Sequence, residues 1–325
     1  MDTQVATRSL RLNERAVAIA ARMVDEADAL GITRTRVGDG TTVIDCGIGA
    51  NGGLEAGRLL AEITMGGLGR VDFTEVRFDG FRLPGVQVRT DHPAIACLAS
   101  QYAGWAIRPE RYFAMGSGPL RAVARVETEL FGRLEYAEGA DGPGVLALEG
   151  RDPPDERVAS YIAGKAGITP DRLVLLIAPT ASLAGGVQVS ARVVETALHK
   201  MMELGFDVRR VVSGFGTAPI APVAKDDLRA IGRTNDCVLY GGTVHLMVRG
   251  DDEELADLVA RVPSSSSRDY GTPFHELFES YGGDFYKVDP HLFSPAEVYV
   301  TNLESGRTFH AGGTNAEVLQ RSVFE

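Results

Sequence analysis

Apolar side chains recur along the chain at two spacings, and together these predict an alternation of helices and strands. Helical spacing of the apolar positions occurs in the segments 13–30, 54–63, 94–103, 155–166 and 186–203. Short apolar or β-branched runs at 41–46, 86–89, 145–148, 173–177, 208–213 and 238–239 are typical of strands. Because strands alternate with helices, we expect an α/β fold.

The length of the chain, 325 residues, exceeds what one hydrophobic core usually serves, so we expect two domains. A glycine cluster formed by Gly139, Gly142 and Gly144 is the best candidate for a linker. We therefore predict an N-terminal α/β domain over residues 1–140 and a C-terminal α/β domain over residues 141–325. In this scheme the C-terminal tail remains free to pack on the first domain.

Composition and charge narrow the classes of partner. The formal net charge of −11 argues against a nucleic-acid partner, because phosphate binding needs a concentrated field of Lys and Arg. The cysteines Cys46, Cys97 and Cys237 are far apart and form no metal-ligand pattern, so the sequence predicts neither a disulfide framework nor a metal site. No apolar run approaches the ~20 residues of a membrane span, and the N-terminus lacks a signal-peptide core. We expect a cytoplasmic protein without a membrane partner.

A glycine motif follows the first predicted strand. Gly47, Gly49 and Gly52 fit the GxGxxG pattern of dinucleotide-binding turns, and Asp72 lies about 20 residues further on, as that pattern requires. The segment around Asp72 fits the rest of the fingerprint poorly, because further glycines intervene. A nicotinamide site and a plain glycine turn therefore both remain open, and the plain turn is favoured.

The segment 186–203 predicts one long helix with unusual polar residues. Most of its surface is apolar, and Gln188, Arg192, Glu195 and His199 fall within a strip of roughly 60° at helical periodicity. Charges are rarely buried without partners, so Arg192 and Glu195, spaced i,i+3, are expected to pair. One interpretation is an internal ion pair that positions the helix. The other is a cleft whose carboxylate is tuned by the guanidinium and by partial desolvation.

Residues 112–119 form a second candidate, a loop in which Gly116 and Gly118 flank Ser117 and Pro119 precedes a predicted helix through residues 121–126. A helix start of this kind exposes N–H groups that suit an anion, although a plain capped turn has the same pattern. Ser117 as a nucleophile is disfavoured, because the GxSxG elbow is missing and no His/Asp partner can be assigned.

Several segments together resemble the methenyltetrahydromethanopterin cyclohydrolase family, in one order from about residue 41 to the end of the chain. The segments are 43–47, 55–57, 92–96, 103–105, 112–119, 188–199, 232–236, 285–290, 307–309 and 311–312. The loop that ends at Pro119 and the helix with Arg192 and Glu195 are the specific signatures among them. Archaeal members carry a lysine where this chain has Tyr102, which suggests a bacterial branch that oxidises formaldehyde.

The resemblance implies a cytoplasmic, cofactor-free hydrolase, usually a homotrimer, with a pterin substrate bound in a cleft between two α/β parts. It implies that Glu195 is the catalytic carboxylate and Arg192 its electrostatic partner. The residues expected to bind the substrate are Gly116, Ser117, Gly118, Gln188, His199, Asp45 and Tyr102. It implies no metal.

The chemistry of the substrate is compatible with these residues. The methenyl carbon lies between two nitrogens and shares a positive charge, so one carboxylate can take a proton from water and return it to the departing nitrogen. Two alternatives stay open at this point. One is a nicotinamide-dependent dehydrogenase that uses residues 47–52, and the other is a non-catalytic pterin-binding protein.

Overall fold

Two six-stranded mixed sheets organise the chain. A computed structural model of the protein describes residues 10–283 and 287–324, so Phe285 and Tyr286 of the family-like segment 285–290 lie outside the described residues. The chain folds into two compact units. Unit 1 comprises the chain up to Gly69 together with Ile95–Gln188, and unit 2 comprises Arg70–Ala94 together with the chain from Val189 onwards. The predicted α/β fold in two domains is confirmed.

Each unit is built from two stretches of chain. Residues 140 and 141, where the sequence analysis places the domain boundary, both belong to the second stretch of unit 1. The reason is pairing over a long separation: Val43 lies opposite Leu175 in parallel neighbouring strands. The cluster of Gly139, Gly142 and Gly144 is therefore a loop within unit 1 and not a linker between domains. Its composition does not indicate which strands pair.

Unit 1 contains the first sheet. Its strands are β1 (Thr33–Val37), β2 (Thr41–Asp45), β5 (Trp105–Ile107), β6 (Ala114–Ser117), β7 (Gly144–Glu149) and β8 (Leu173–Ala178), in the order β1-β2-β8-β7-β6-β5. Its helices are α1 (Leu12–Asp25), α2 (Ala27–Leu30), α3 (Leu54–Thr64), the π-helix Ala94–Gln101, α4 (Arg121–Ala124), α5 (Thr128–Leu134), α6 (Glu156–Ala166) and the 3₁₀ turn Pro170–Arg172, and α7 (Leu183–Ser190) carries the chain into unit 2.

Strand β8 lies in the interior of unit 1, with a hydrophobic core on each face of the sheet. Its two neighbours, β2 and β7, both run parallel to it, and nearly all of its residues are buried. Leu176 belongs to the core with residues of α1, α3 and α7, whereas Leu175 belongs to the core with residues of α6. A parallel strand covered on both faces needs a nearly continuous apolar run, and residues 173–178 supply it.

Unit 2 contains the second sheet, in the order β12-β11-β10-β9-β4-β3. Its strands are β3 (Gly69–Phe78), β4 (Phe81–Thr90), β9 (Val211–Pro219), β10 (Thr243–Val248), β11 (Glu297–Asn302) and β12 (Thr308–Gly312). Its helices are α8 (Val193–Glu203), α9 (Asp227–Gly241), α10 (Asp252–Val259), α11 (Phe274–Ser280) and α12 (Ala316–Phe324), with 3₁₀ turns at Val208–Arg210, Ser264–Ser266 and Pro290–Leu292.

Three local predictions are wrong. The helix expected over 186–203 is two helices, α7 and α8, separated at Ala191 and Arg192. The loop expected over 112–119 contains strand β6, which pairs with β5 and β7. The strand expected at 238–239 lies in the last turn of α9, and both residues are buried. Leu239 belongs to a hydrophobic core of unit 2. A short apolar run does not distinguish a strand from a buried helix.

Within the described residues, no helix has the length and apolar character needed to cross a membrane.

Candidate active site

The break between α7 and α8 places the predicted catalytic carboxylate at a helix start. Helix α7 ends at Ser190, α8 begins at Val193, and Arg192 occupies the N-cap position between them. The N–H group of Arg192 donates to the carbonyl oxygen of Val189 at 3.0 Å, and its own carbonyl accepts from Thr196. Glu195 therefore lies in the first turn of α8, where the positive end of the helix dipole favours a carboxylate.

Arg192 and Glu195 form a nearly buried ion pair. The Nε of Arg192 donates to Oε2 of Glu195 at 3.0 Å, and the exposed fractions of the two side chains are 14% and 3%. A carboxylate and a guanidinium that are both buried stabilise each other. Removing one of them leaves the other as an unpaired buried charge, which is strongly destabilising. The pair thus holds an oriented carboxylate beside a guanidinium, with little exposure to water.

Close packing against the second sheet fixes the start of α8. A Cβ atom built on Gly214 would lie 2.8 Å from a methyl carbon of Val194, and one built on Gly216 would lie 2.8 Å from a methyl carbon of Val193. Both valines are fully buried. The two glycines of β9 allow the helix to approach the sheet closely, so the first turn of α8 and its Glu195 sit on a rigid support.

The break also divides the polar strip that the sequence predicts. Glu195 and His199 are spaced i,i+4 on α8 and share one face of it, and His199 is half-buried. Gln188 lies on α7, in unit 1, and is 6% exposed. A single helical wheel therefore does not describe Gln188 together with the other three residues.

The predicted loop residues Gly116, Ser117 and Gly118 lie in different surroundings. Ser117 lines a small cavity of about 10 Å³ together with Gln188, and Glu149 lies in the same wall. A Cβ atom on Gly116 would instead meet Trp105 and Leu146 at 3.1 and 3.2 Å, in the apolar core, so Gly116 serves packing. Gly118 has φ +113° and donates its N–H to the carbonyl of Ser100 at 2.7 Å.

Of the two interpretations of the helix after Pro119, the structure favours the plain turn over the anion site. Helix α4 has only four residues, and the amide nitrogens before and at its start already have protein partners. The N–H of Leu120 donates to Val145, and that of Arg121 donates to Gly118. What this loop brings to a candidate site is thus the side chain of Ser117.

Asp45 holds the glycine loop together. Its Oδ1 accepts from the N–H groups of Gly47 and Ile48 at 2.9 and 2.7 Å, and its Oδ2 accepts from those of Gly49 and Ala50 at 2.7 and 3.0 Å. Partial burial acts to raise the pKa of Asp45, but the four N–H donors outweigh it and hold the pKa below its ordinary value. The side chain predicted to bind substrate is thereby committed to its own loop.

The same geometry removes the basis of a nicotinamide site. In a dinucleotide-binding turn the backbone N–H groups are left for the pyrophosphate, whereas here four of them donate to Asp45. The fingerprint also needs a βαβ unit, but the strand that follows α3 is β3, which belongs to the other sheet and contains Asp72. The motif at Gly47, Gly49 and Gly52 is a glycine turn.

We expect Asp45→Asn to lower the free energy of unfolding by about 1–3 kcal/mol at neutral pH, because the amide NH₂ cannot accept from two of the four donors. Since the folded-state pKa is lowered, this contribution is fully present above the ordinary value of 3.8 and is lost as pH falls through the folded value. Urea unfolding of the parent and of Asp45→Asn should therefore give a difference in the free energy of unfolding that stays constant from about pH 8 to about pH 5. The exposed turn residue Asp39, changed to Asn, is the control, and an equal effect there would contradict this role of Asp45.

Tyr102 covers a buried cation. Its ring centroid lies 5.2 Å from the guanidinium carbon of Arg121, a side chain with no exposed surface that donates to the carbonyls of Leu98 and Ser100 at 3.0 Å each. Glu127 completes the cluster with a 2.6 Å contact to Arg121. Arginine over a tyrosine face is a stabilising arrangement. Tyr102 therefore contributes to packing around Arg121.

Two polar residues of the small cavity region were missed by the sequence analysis. Glu149 is the last residue of β7, and its carboxylate accepts a hydrogen bond from the hydroxyl of Thr180, two residues after β8. A polar residue directly after a buried apolar run is a usable signal, since ligands in α/β folds bind at the carboxyl ends of parallel strands. In the part of the chain that the structure describes, no group of three or more His, Cys, Asp and Glu side chains is placed to hold a metal ion.

Comparison with known proteins identifies the family. The model of the family described as Cyclohydrolase (MCH) matches residues 11–323. The chain is 48% identical to the methenyltetrahydromethanopterin cyclohydrolase of Xanthobacter autotrophicus over 92% of this chain and 88% of that protein. It is 46% identical to the one of Methylobacillus flagellatus, with 96% and 94% covered, and 42% identical to the one of Methanococcoides burtonii, with 96% and 98% covered.

The chain belongs to the cyclohydrolase family. The resemblance seen in the sequence is confirmed, and bacterial proteins are among these relatives. Family membership and the hydrolase activity of the relatives decide against the dehydrogenase alternative.

Proposed function

We propose that the chain hydrolyses methenyltetrahydromethanopterin, or its dephospho form, to formyltetrahydromethanopterin in one-carbon metabolism. Relatives that carry the name of this activity align with nearly the whole chain. The observation that supports the mechanism is the ion pair of Arg192 and Glu195 in the first turn of α8. It provides one oriented carboxylate where the helix start and a guanidinium both favour its charge.

The reaction needs one base that becomes an acid. Water adds to the methenyl carbon, which is electrophilic because it shares the positive charge of its two nitrogens, and Glu195 takes the proton that the water loses. The bond between that carbon and one nitrogen then breaks, and Glu195 returns its proton to the departing nitrogen. The added hydroxyl loses its own proton to solvent as it becomes the formyl oxygen on the other nitrogen, and this released proton carries away the positive charge of the substrate. Arg192 holds the carboxylate in place during both transfers. Of the other predicted residues, Ser117, Gln188 and His199 stay candidates for contact with the carrier.

Substrate choice tests this proposal. We expect the purified protein, under anaerobic conditions, to open methenyltetrahydromethanopterin faster than methenyltetrahydrofolate, as followed by the loss of methenyl absorbance. Neither a chelator nor added NAD should change the rate, because the proposed steps use only protein side chains and water. Equal or faster turnover of the folate, or strong inhibition by the chelator, would overturn the proposed substrate or mechanism.

The remaining parts of the proposal concern location and assembly. We infer a cytoplasmic enzyme that works without a cofactor and without nucleic acid, supported by the net charge of −11 and by the family resemblance. The same resemblance supports a homotrimer, which light scattering of the purified protein tests directly. A molar mass of one 34.7 kDa chain would contradict the trimer.

A further inference from the structure

Strands β7 and β8 form a switch point in the first sheet. They are parallel neighbours, but the chain leaves them toward opposite faces. After β7 it enters α6, whose Val158 and Ile162 belong to one core, and after β8 it enters α7, whose Ala184 belongs to the other core. Where successive connections diverge in this way, a crevice opens at the carboxyl ends of the strands, and ligands of α/β folds bind there.

Glu149 is located at this crevice. It is the last residue of β7 and lies opposite Ala178, the last residue of β8. The cavity beside it is lined by Leu60, Ser117, Ala147, Leu148, Glu149, Ala178, Gly185 and Gln188. Ser117 and Gln188 are 5% and 6% exposed, so three polar side chains from β6, β7 and α7 converge in a largely apolar wall.

The carboxylate of Glu149 favours a ligand group that donates hydrogen bonds. An ionised carboxylate only accepts hydrogen bonds, and each of its oxygens accepts more than one. The hydroxyl of Thr180, which is 6% exposed, donates to Oε1 of Glu149 and so fixes the direction of the carboxylate. The volume of about 10 Å³ matches one water-sized group, so the tip of a ligand enters the cavity and a ring does not.

A 2-amino-4-oxopyrimidine has an edge of this kind. Its 2-amino group and the adjacent ring N–H are two parallel donors, and their spacing matches the two oxygens of a carboxylate in the same way as a guanidinium fork does. We propose that Glu149, oriented by Thr180, is a substrate-positioning residue that accepts hydrogen bonds from the 2-amino edge of the pterin ring. This inference rests on the proposed function, which supplies the pterin.

The test separates binding from chemistry. Glu149→Gln retains the size of the side chain and an acceptor for Thr180 but loses the charge and one acceptor oxygen. We expect KM for methenyltetrahydromethanopterin to rise roughly 10- to 100-fold, as for the loss of a charge-assisted pair, with kcat within a few-fold of the parent. Glu129→Gln, on the exposed side of α5, is the matched control and should leave both constants unchanged.

A second measurement addresses the 2-amino group itself. With the parent protein, 6-methylpterin should inhibit more strongly than 6-methyllumazine, in which an oxo group replaces the amino group and would face the carboxylate. In Glu149→Gln the ratio of the two inhibition constants should fall toward one, because an amide both donates and accepts. A merely structural role of Glu149 would weaken both inhibitors equally.

The outcomes are distinguishable. If the parent protein does not open the substrate, the proposed function fails. If the parent is active but Glu149→Gln has an unchanged KM, an unchanged inhibitor ratio, or a reduced kcat alone, the positioning role is overturned. Should Glu149→Gln not fold, Thr180→Val decides. Loss of the orienting hydroxyl should then raise KM several-fold and lower the inhibitor ratio, and parent-like values would contradict the proposal.

Discussion

Replacing Glu195 with Gln should reduce kcat roughly 10²- to 10⁴-fold, the usual contribution of a positioned acid or base, while substrate affinity is largely retained. The amide keeps the shape of the side chain and can still accept from Arg192, but it cannot take a proton from water. Single-turnover absorbance measurements at saturating substrate isolate this step from binding and product release.

The control for this variant lies on the same helix. Glu203 is the last residue of α8 and is exposed, so Glu203→Gln changes the charge of the helix without touching the pair. It should turn over like the parent. A folded Glu195→Gln protein within a few-fold of the parental kcat would end the assignment of Glu195 as the base, and it would leave the pair as an internal support of α8.

Replacing Arg192 with Ala should reduce turnover on the order of 10²-fold, because the carboxylate loses both its charge partner and its orientation. The variant should also unfold more easily, by about 3 kcal/mol, since Glu195 is left buried and unpaired. Urea unfolding and kcat at saturating substrate measure the two effects.

The double variant tests whether the two residues act together. Arg192→Ala combined with Glu195→Gln should be no slower than Glu195→Gln alone, because Arg192 acts through the carboxylate that is already lost. Arg77→Ala removes the guanidinium of an exposed pair with Glu75 and should leave rate and stability unchanged. Losses that simply multiply in the double variant would show that Arg192 has a separate role.

The sequence predicts the fold well where the physics is local. The helix predicted over 13–30 is found as α1 and α2, and the strands predicted at 41–46, 145–148 and 173–177 are found as β2, β7 and β8. In each segment the spacing of the apolar residues, which are buried in a core, is enough to identify the element. The pairing of Arg192 with Glu195 also follows from an i,i+3 spacing on an apolar helix.

The hairpin of β3 and β4 has a local signal, although the predicted elements do not include it. Asp79 and Gly80 separate two alternating runs, which is a strong hairpin pattern, and Gly80 has φ +86°. The hairpin explains why Asp72 fits a dinucleotide fingerprint poorly. Strands β10 and β11 alternate buried and half-buried positions, again a pattern of period two.

Other features have no local signal. No glycine or proline marks the break between α7 and α8, since residues 189–193 contain only good or tolerated helix formers. Ser190 and Ala191 are fully buried there, so tertiary packing sets the break and with it the placement of Glu195 in a first turn. The meeting of Glu149 with Thr180 likewise depends on which strands are neighbours, which periodicity does not specify.

The carboxylate of Asp45 occupies the glycine turn of this chain as an internal hydrogen-bond acceptor. The carboxylate fills the concave ring of amides that, in nucleotide-binding proteins of other folds, is kept for a phosphate carried by the ligand. A phosphate that approached this turn would meet the charge of Asp45 and four amides that already donate to it. The turn therefore keeps a nucleotide-like glycine pattern without offering these amides to a ligand.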